Sequence, residues 1–288
     1  MTAFWEDNVI LKVVSGSRAH GLSTPESDED TRGVCVPPRE VLLGLQEFEQ
    51  HENPSGDHVV YSLAKFARLA LQGNPNIIET LFTDERHLLV CTQHGQRLRD
   101  ARDIFLSRRV GERFSGYAVD QLRRLERHYR WLTGPPPSKP EPESFGAVLI
   151  AGRHKFPSAD AERNYRAAWK HWNHYETWRK SRNPKRGALE EAHGYDTKHA
   201  MHLCRLLKMG QEILAEGVVR VWRPDAEWLM GVRRGSMTYA ELKVWAADQE
   251  TRLNELVAGS PLPEEPDHAA AERLVMEIHE GFLFGRKI

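Results

Sequence analysis

The stretch that decides the fold is Val13 to Val34, VVSGSRAHGLSTPESDEDTRGV. It opens as the end of a β-branched run, Asn8 to Ser15 (NVILKVVS), which reads as a buried strand stopping at a Gly16-Ser17 turn. Ten residues separate Ser17 from Asp28-Glu29-Asp30. Asp30 to Val36 (DTRGVCV) then alternates and stops at Pro37-Pro38, as a second strand would. Alternation along a strand puts Asp28 and Asp30 on one face and Glu29 on the other. Two carboxylates side by side repel each other unless a cation lies between them. A hard divalent ion with oxygen ligands, Mg²⁺ or Mn²⁺, fits that arrangement. Gly16 allows a tight turn and a close approach of backbone to phosphate. Ser17 offers its hydroxyl and amide to phosphate oxygens, and Arg18 a charged fork. A short helix starting there would aim its positive end at the same anion.

Moving outward, His58 to Ser62 (HVVYS) reads as a third strand, with Asp57 at its start. An antiparallel pairing would present Asp57 beside the Asp28–Asp30 pair and complete a two-metal site. Leu63, Phe66, Ala67, Ala70 and Leu71 follow at helical spacing, Asn74-Pro75 breaks that helix, and Pro75 starts the next. Asn74 and Glu79 have no evident role beyond capping or packing.

From about residue 95 strand signals nearly vanish. Helical patterns cover 108–132, 159–181, 196–216, 225–233, 238–258 and 268–283. Gly134 to Ser144 (GPPPSKPEPES) cannot be helix, and 134–158 is expected to be an exposed, mobile insertion. The expected fold class is therefore α+β: a small sheet module over residues 1–105, then an all-helical domain over 106–288.

Composition bounds the function. The 288 residues hold no apolar run long enough to cross a membrane, and the start (MTAFWEDNVILKVV) lacks a basic leader and cleavage site. The expectation is a cytoplasmic protein. Three scattered cysteines, Cys35, Cys91 and Cys204, form no C-x-x-C pair, so neither a disulfide framework nor a zinc site is indicated. The net charge of -1 hides an asymmetry. Residues 1–60 carry 11 acids against 4 bases, 151–210 carry 13 bases against 6 acids, and 241–288 carry 10 acids against 5 bases. An acidic module suits divalent metal and a basic one suits phosphates; ordinary solvated faces would produce the same counts.

With these residues in view, Gly16-Ser17, a spacer and Asp28-x-Asp30 resemble the signature of the DNA polymerase β superfamily of nucleotidyltransferases. The longer string resembles a narrower group, the RNA-repair-pathway DNA polymerase β family (RlaP-type, YcgL-like). Tyr61 to Phe82 (YSLAKFARLALQGNPNIIETLF) and His193 to Leu214 (HGYDTKHAMHLCRLLKMGQEIL) agree with it. The resemblance implies a mixed sheet flanked by helices, a helical domain that helps bind nucleotide or acceptor, and transfer of NMP from an NTP to a hydroxyl with two divalent ions. It implies Asp28 and Asp30 as paired metal ligands, Ser17 as a triphosphate contact and Asp57 as third carboxylate, either general base or metal ligand.

In the helical half, Lys198, His202 and Arg205 share one helix face and could meet a triphosphate or base. Asp196 reads as an N-cap. His199 and His202 stand three apart, but no third ligand is nearby to make a zinc site. Arg163 to Lys180 interleaves Trp169, Trp172, Tyr175 and Trp178 with cations, a pattern of either helix core or a stacking surface for single-stranded nucleic acid. Arg108, Arg109, Arg113, Arg123, Arg124, Arg127 and Arg130 lie on one helix, as phosphate contacts or as a solvated face. Three functions fit: NMP addition to an RNA or tRNA 3′ end, nucleotidylation of a small molecule or protein, and non-catalytic nucleotide or RNA binding. The intact Ser17, Asp28 and Asp30 argue against the last.

Overall fold

The computed structural model describes residues 3–134, 137–182 and 184–285. Five strands, β1 (Val9–Ser15), β2 (Asp30–Cys35), β3 (Gln50–Glu52), β4 (His58–Ser62) and β5 (Leu88–Cys91), form one sheet in the order β3-β4-β2-β1-β5. Helices α1 (Phe4–Asp7), α2 (Gly16–Ala19), α3 (Arg39–Leu42), α4 (Leu63–Leu71), α5 (Pro75–Phe82) and α6 (Gln93–Asp100) accompany it. The rest of the chain is led by α7 (Arg108–Thr133), α8 (Ala159–Ser181), α9 (Pro184–His193), α10 (Thr197–Glu216), α11 (Ala226–Arg233), α12 (Tyr239–Gly259) and α13 (His268–Phe284). This is the expected α+β class, and the expected long helices recur within a residue or two.

β1 lies inside the sheet, between β2 and β5, and is apolar on both faces: Ile10, Leu11 and Val13 are fully buried. It runs antiparallel to β2 and β5, whereas β2 and β4 are parallel, so the sheet is mixed. The antiparallel neighbour expected for Asp57 is thereby corrected. Twenty-two residues separate β2 from β4 and hold α3 and β3, enough chain for the crossover that parallel pairing requires.

Several helix starts are chemically marked. Ser62 accepts from the Lys65 amide at α4, and Asn74 accepts from Asn76 ahead of Pro75 at α5. Asp196 accepts from His199 at α10, as expected, and Gly217 ends that helix in the left-handed conformation. Residues α10 buries include Met201, Cys204, Leu207 and Ile213; the helix packs along α7 and α12. Gly111 on α7 abuts Leu214 and Gly210 abuts Leu253 and Phe114. α13 returns to pack on α4 and α6. One buried apolar cluster thus runs from Ile10 through Leu214 to Ile278, joining both halves of the chain.

The expectation of no strands beyond residue 95 is also corrected. Within the expected insertion, β6 (Val148–Ile150) and β7 (Arg153–Lys155) form a hairpin after a 3₁₀ turn at Pro142–Phe145. Its two-residue tip, Ala151-Gly152, has positive φ at both positions. All six strand residues are exposed, so no buried face imposes the alternation that would mark strands in the sequence. Pro135 and Pro136 of the expected insertion lie outside the described residues.

Candidate active site

The register of the sheet assembles the carboxylates. Ser15, last in β1, pairs with Asp30, first in β2, so the Gly16 turn begins where the second carboxylate stands. β4 runs parallel to β2 with His58 opposite Thr31, and the Asp57 carbonyl accepts from the Thr31 amide at 2.8 Å. Parallel strands begin at the same sheet edge, which sets Asp57 level with Asp30. Asp28 precedes β2 rather than lying on it, in the connecting segment. Gly16 has φ +63°, and a Cβ there would overlap the Asp30 carboxylate.

Asp30 is partly exposed, and its pKa is raised, first by loss of hydration. Asp57 and Asp28 raise it further, while Arg32 and Lys198 pull the other way. Four charges from four places in the sequence therefore act on one carboxylate. Like charge gathered in this way is what a bound cation relieves. Arg32 is tied down by bonds to the Thr31 and Asp57 carbonyls at 3.0 and 3.1 Å.

Gly16, Ser17, Asp28 and Asp30 line one wall of a cleft of about 460 Å³. Lys198, Met201, His202 and Arg205 of α10 line it too, with Arg233 from α11. That volume falls within the ~300–1,000 Å³ of ligand pockets. Seven of the nine residues singled out in the sequence thus meet in one place. Arg18 and Asp57 do not line the cleft: Arg18 is exposed and donates to the Ser27 carbonyl at 3.1 Å, holding the segment that carries Asp28.

Arg205 has a second commitment. It is buried and ion-pairs with Glu79 of α5, whose other oxygen lies 3.3 Å from Nε2 of buried His20. His20 Nδ1 lies 2.9 Å from the Val221 carbonyl. Burial works to raise the Glu79 pKa, but Arg205 and then His20 outweigh it and hold the carboxylate at about 2. This chain of contacts ties the turn after β1 to α10, and it gives Glu79 the role the sequence left blank. Asn74 caps α5 and also donates to Tyr117 of α7 at 3.0 Å. His202 is kept neutral: burial, then the Arg205 charge, lowers its pKa well below the usual histidine value. Sequence reading missed His20 and Arg32 and named Glu79 without a role; His20 was visible only as part of the S-R-A-H-G string.

The aromatic helix α8 is not core, since none of its residues is buried. Tyr175 and Trp178 pack on Trp131, whereas Trp169 and Trp172 sit side by side near Lys139. Of the arginines of α7, Arg108 bonds the Leu262 and Ser260 carbonyls and Arg109 pairs with Glu265. Arg124 and Arg127 face a second cavity.

The family model of RlaP, the RNA repair pathway DNA polymerase beta family, matches residues 3–277. The chain belongs to the RlaP family. RlaP membership implies a polymerase-β-like nucleotidyltransferase of an RNA repair pathway, an enzyme class that typically uses divalent metal. The chain is also 35% identical over 85 residues to an uncharacterized 38.9 kDa protein in the nrdC-mobD intergenic region of Enterobacteria phage T4. That match covers 26% of this chain and 25% of the phage protein's length. No solved structure matches. Among the described residues no helix is long and apolar enough to cross a membrane.

Proposed function

We propose that this protein transfers NMP from an NTP to the 3′-hydroxyl of an RNA such as a tRNA, releasing pyrophosphate. In this reading residues 1–105 are the catalytic module and 106–288 handle nucleotide and acceptor. The single observation that carries it is the cleft: Gly16, Ser17, Asp28 and Asp30 face Lys198, His202 and Arg233 across a space of nucleotide size. Asp28, Asp30 and Asp57 would hold two divalent ions, Mg²⁺ or Mn²⁺, which activate the attacking hydroxyl and stabilise the leaving oxygen. Ser17 and the Gly16 turn receive the triphosphate, and Arg18 keeps the Asp28 segment in place. Lys198 adds positive charge where the phosphates lie, neutral His202 offers a hydrogen bond, and Arg205 holds the α10 wall to α5. The part-exposed aromatics of α8 suit stacking of single-stranded RNA bases.

The test is incubation of the purified protein with Mg²⁺, a tRNA pool and each labelled NTP. We expect label at RNA 3′ ends. The paired change Asp28→Asn with Asp30→Asn is expected to lower the rate by at least about 100-fold, beyond what loss of an outer metal partner does, with an unchanged melting temperature. Failure of all four NTPs to extend any RNA overturns the RNA acceptor, and label on a protein or metabolite identifies the other acceptor class.

A further inference from the structure

His199 does not face the carboxylate cleft. The α10 helix turns it into a second cavity, of about 570 Å³, lined by Arg124, Arg127, His128, Trp131, Trp178 and Arg182 among others. There it meets a partner from seventy-one residues upstream, His128. Donor atoms of His128 (α7), Asp196 and His199 (start of α10) all lie within 4.8 Å of one another. Asp196 and His199 are buried, and His128 is largely so.

From this geometry we propose that His128, Asp196 and His199 form a binding site for one divalent transition metal ion, Zn²⁺ being the best fit, separate from the Asp28–Asp30 centre. Two imidazoles and a carboxylate are a borderline-soft set, which favours Zn²⁺ and its neighbours over Mg²⁺. A tetrahedral ion with ~2.1 Å bonds needs ligand atoms roughly 3.4 Å apart. Side-chain rotations of the order of an ångström close the present triangle to that size. Asp196 Oδ2 already lies 2.6 Å from His199 Nδ1, so two of the three donor residues start in direct contact.

A second observation is independent of that triangle. Nδ1 of His128 is buried and has no hydrogen-bond partner among the described residues. An orphaned ring nitrogen in a polar cluster calls for a ligand. Glu190 Oε1 stands 4.0 Å from the same nitrogen and can serve as a fourth ligand. Its other oxygen is held by Arg182 at 2.7 Å, which fixes the carboxylate in place. The cavity leaves the ion open on one side, and Arg124, Arg127 and Arg182 at its lining favour an anion, such as a phosphate oxygen, in the open position.

His128 lies in a different helix and is brought to His199 only by α7 packing along α10, so motif spacing cannot reveal the cluster.

Co²⁺ is the probe, since its visible absorption reports coordination. Full-length protein stripped with chelator is titrated with Co²⁺, alone and against Zn²⁺. We expect one Co²⁺ with a tetrahedral spectrum, displaced by Zn²⁺ and retained in the Asp28→Asn, Asp30→Asn variant. His128→Gln and, separately, His199→Gln should each weaken binding by at least tenfold and remove the spectrum. Circular dichroism of each variant establishes that it is folded. An unchanged Co²⁺ spectrum in folded His128→Gln overturns the site, as does the absence of any Co²⁺ that survives the Asp28→Asn, Asp30→Asn change. Loss of RNA extension in the earlier assay has no bearing on either outcome.

Discussion

Gly16 occupies a position where a side chain would collide with the carboxylate beside it. Two independent demands meet there: a left-handed φ of +63°, and contact with Asp30 from the neighbouring strand. A left-handed conformation costs an L-residue about 1–2 kcal/mol. The overlap adds to this, because Asp30 must rotate to make room. Gly16→Ala is therefore expected to lower stability by about 2 kcal/mol or more and to reduce the nucleotidyl transfer rate. Chemical denaturation reads the first and a single-turnover assay the second. A variant as stable and as active as the parent would show that Asp30 has freedom the packing denies it.

At the scale of elements, α5, the turn after β1 and α10 are joined through Glu79. Breaking a buried ion pair by removing one partner costs about 3–5 kcal/mol, since a charge is left stranded. Replacing both partners by apolar groups costs far less. Arg205→Met alone should thus destabilise strongly, and adding Glu79→Met should restore much of the loss. The double-mutant cycle in urea measures this coupling; additive losses would mean the pair does not bind the elements together. The signals for these elements were uneven in the sequence. α10 was legible from its period and its Asp196 cap, whereas β5 and β3 were too short to register and β6–β7 too exposed. The antiparallel expectation for β4 failed because a strand's own residues carry no mark of which way its neighbour runs.

Across the whole molecule, several buried groups keep a protonation state that acid would reverse. His128 and His202 are neutral in the fold, with pKa values below the ~6.5 of an unfolded chain, that of His128 at about 4. Below pH ~6.5 the unfolded chain takes up protons that the folded one refuses, so stability falls as pH drops. Glu79 acts in the same direction lower down, between the unfolded carboxylate value of ~4.3 and its folded value of about 2. The urea midpoint, measured in chelator from pH 7.5 downward, is expected to decline steadily below about 6.5. His128→Gln should flatten the slope down to about 4. A midpoint level across that range would contradict the buried neutral state.

The sequence by itself determined the local things: the strand ending at Gly16-Ser17, the paired acids, the long helices with their caps, and the family. These are written in neighbouring residues, where hydrophobic period, turn chemistry and motif spacing act over a few positions. Only the tertiary structure decided which distant residues meet. It set Asp57 level with Asp30 by parallel register, bound Arg205 to Glu79, and turned His199 into a cavity shared with His128. Such meetings depend on strand direction and on which helix faces which. Those are properties of packing between segments, and no single segment encodes them.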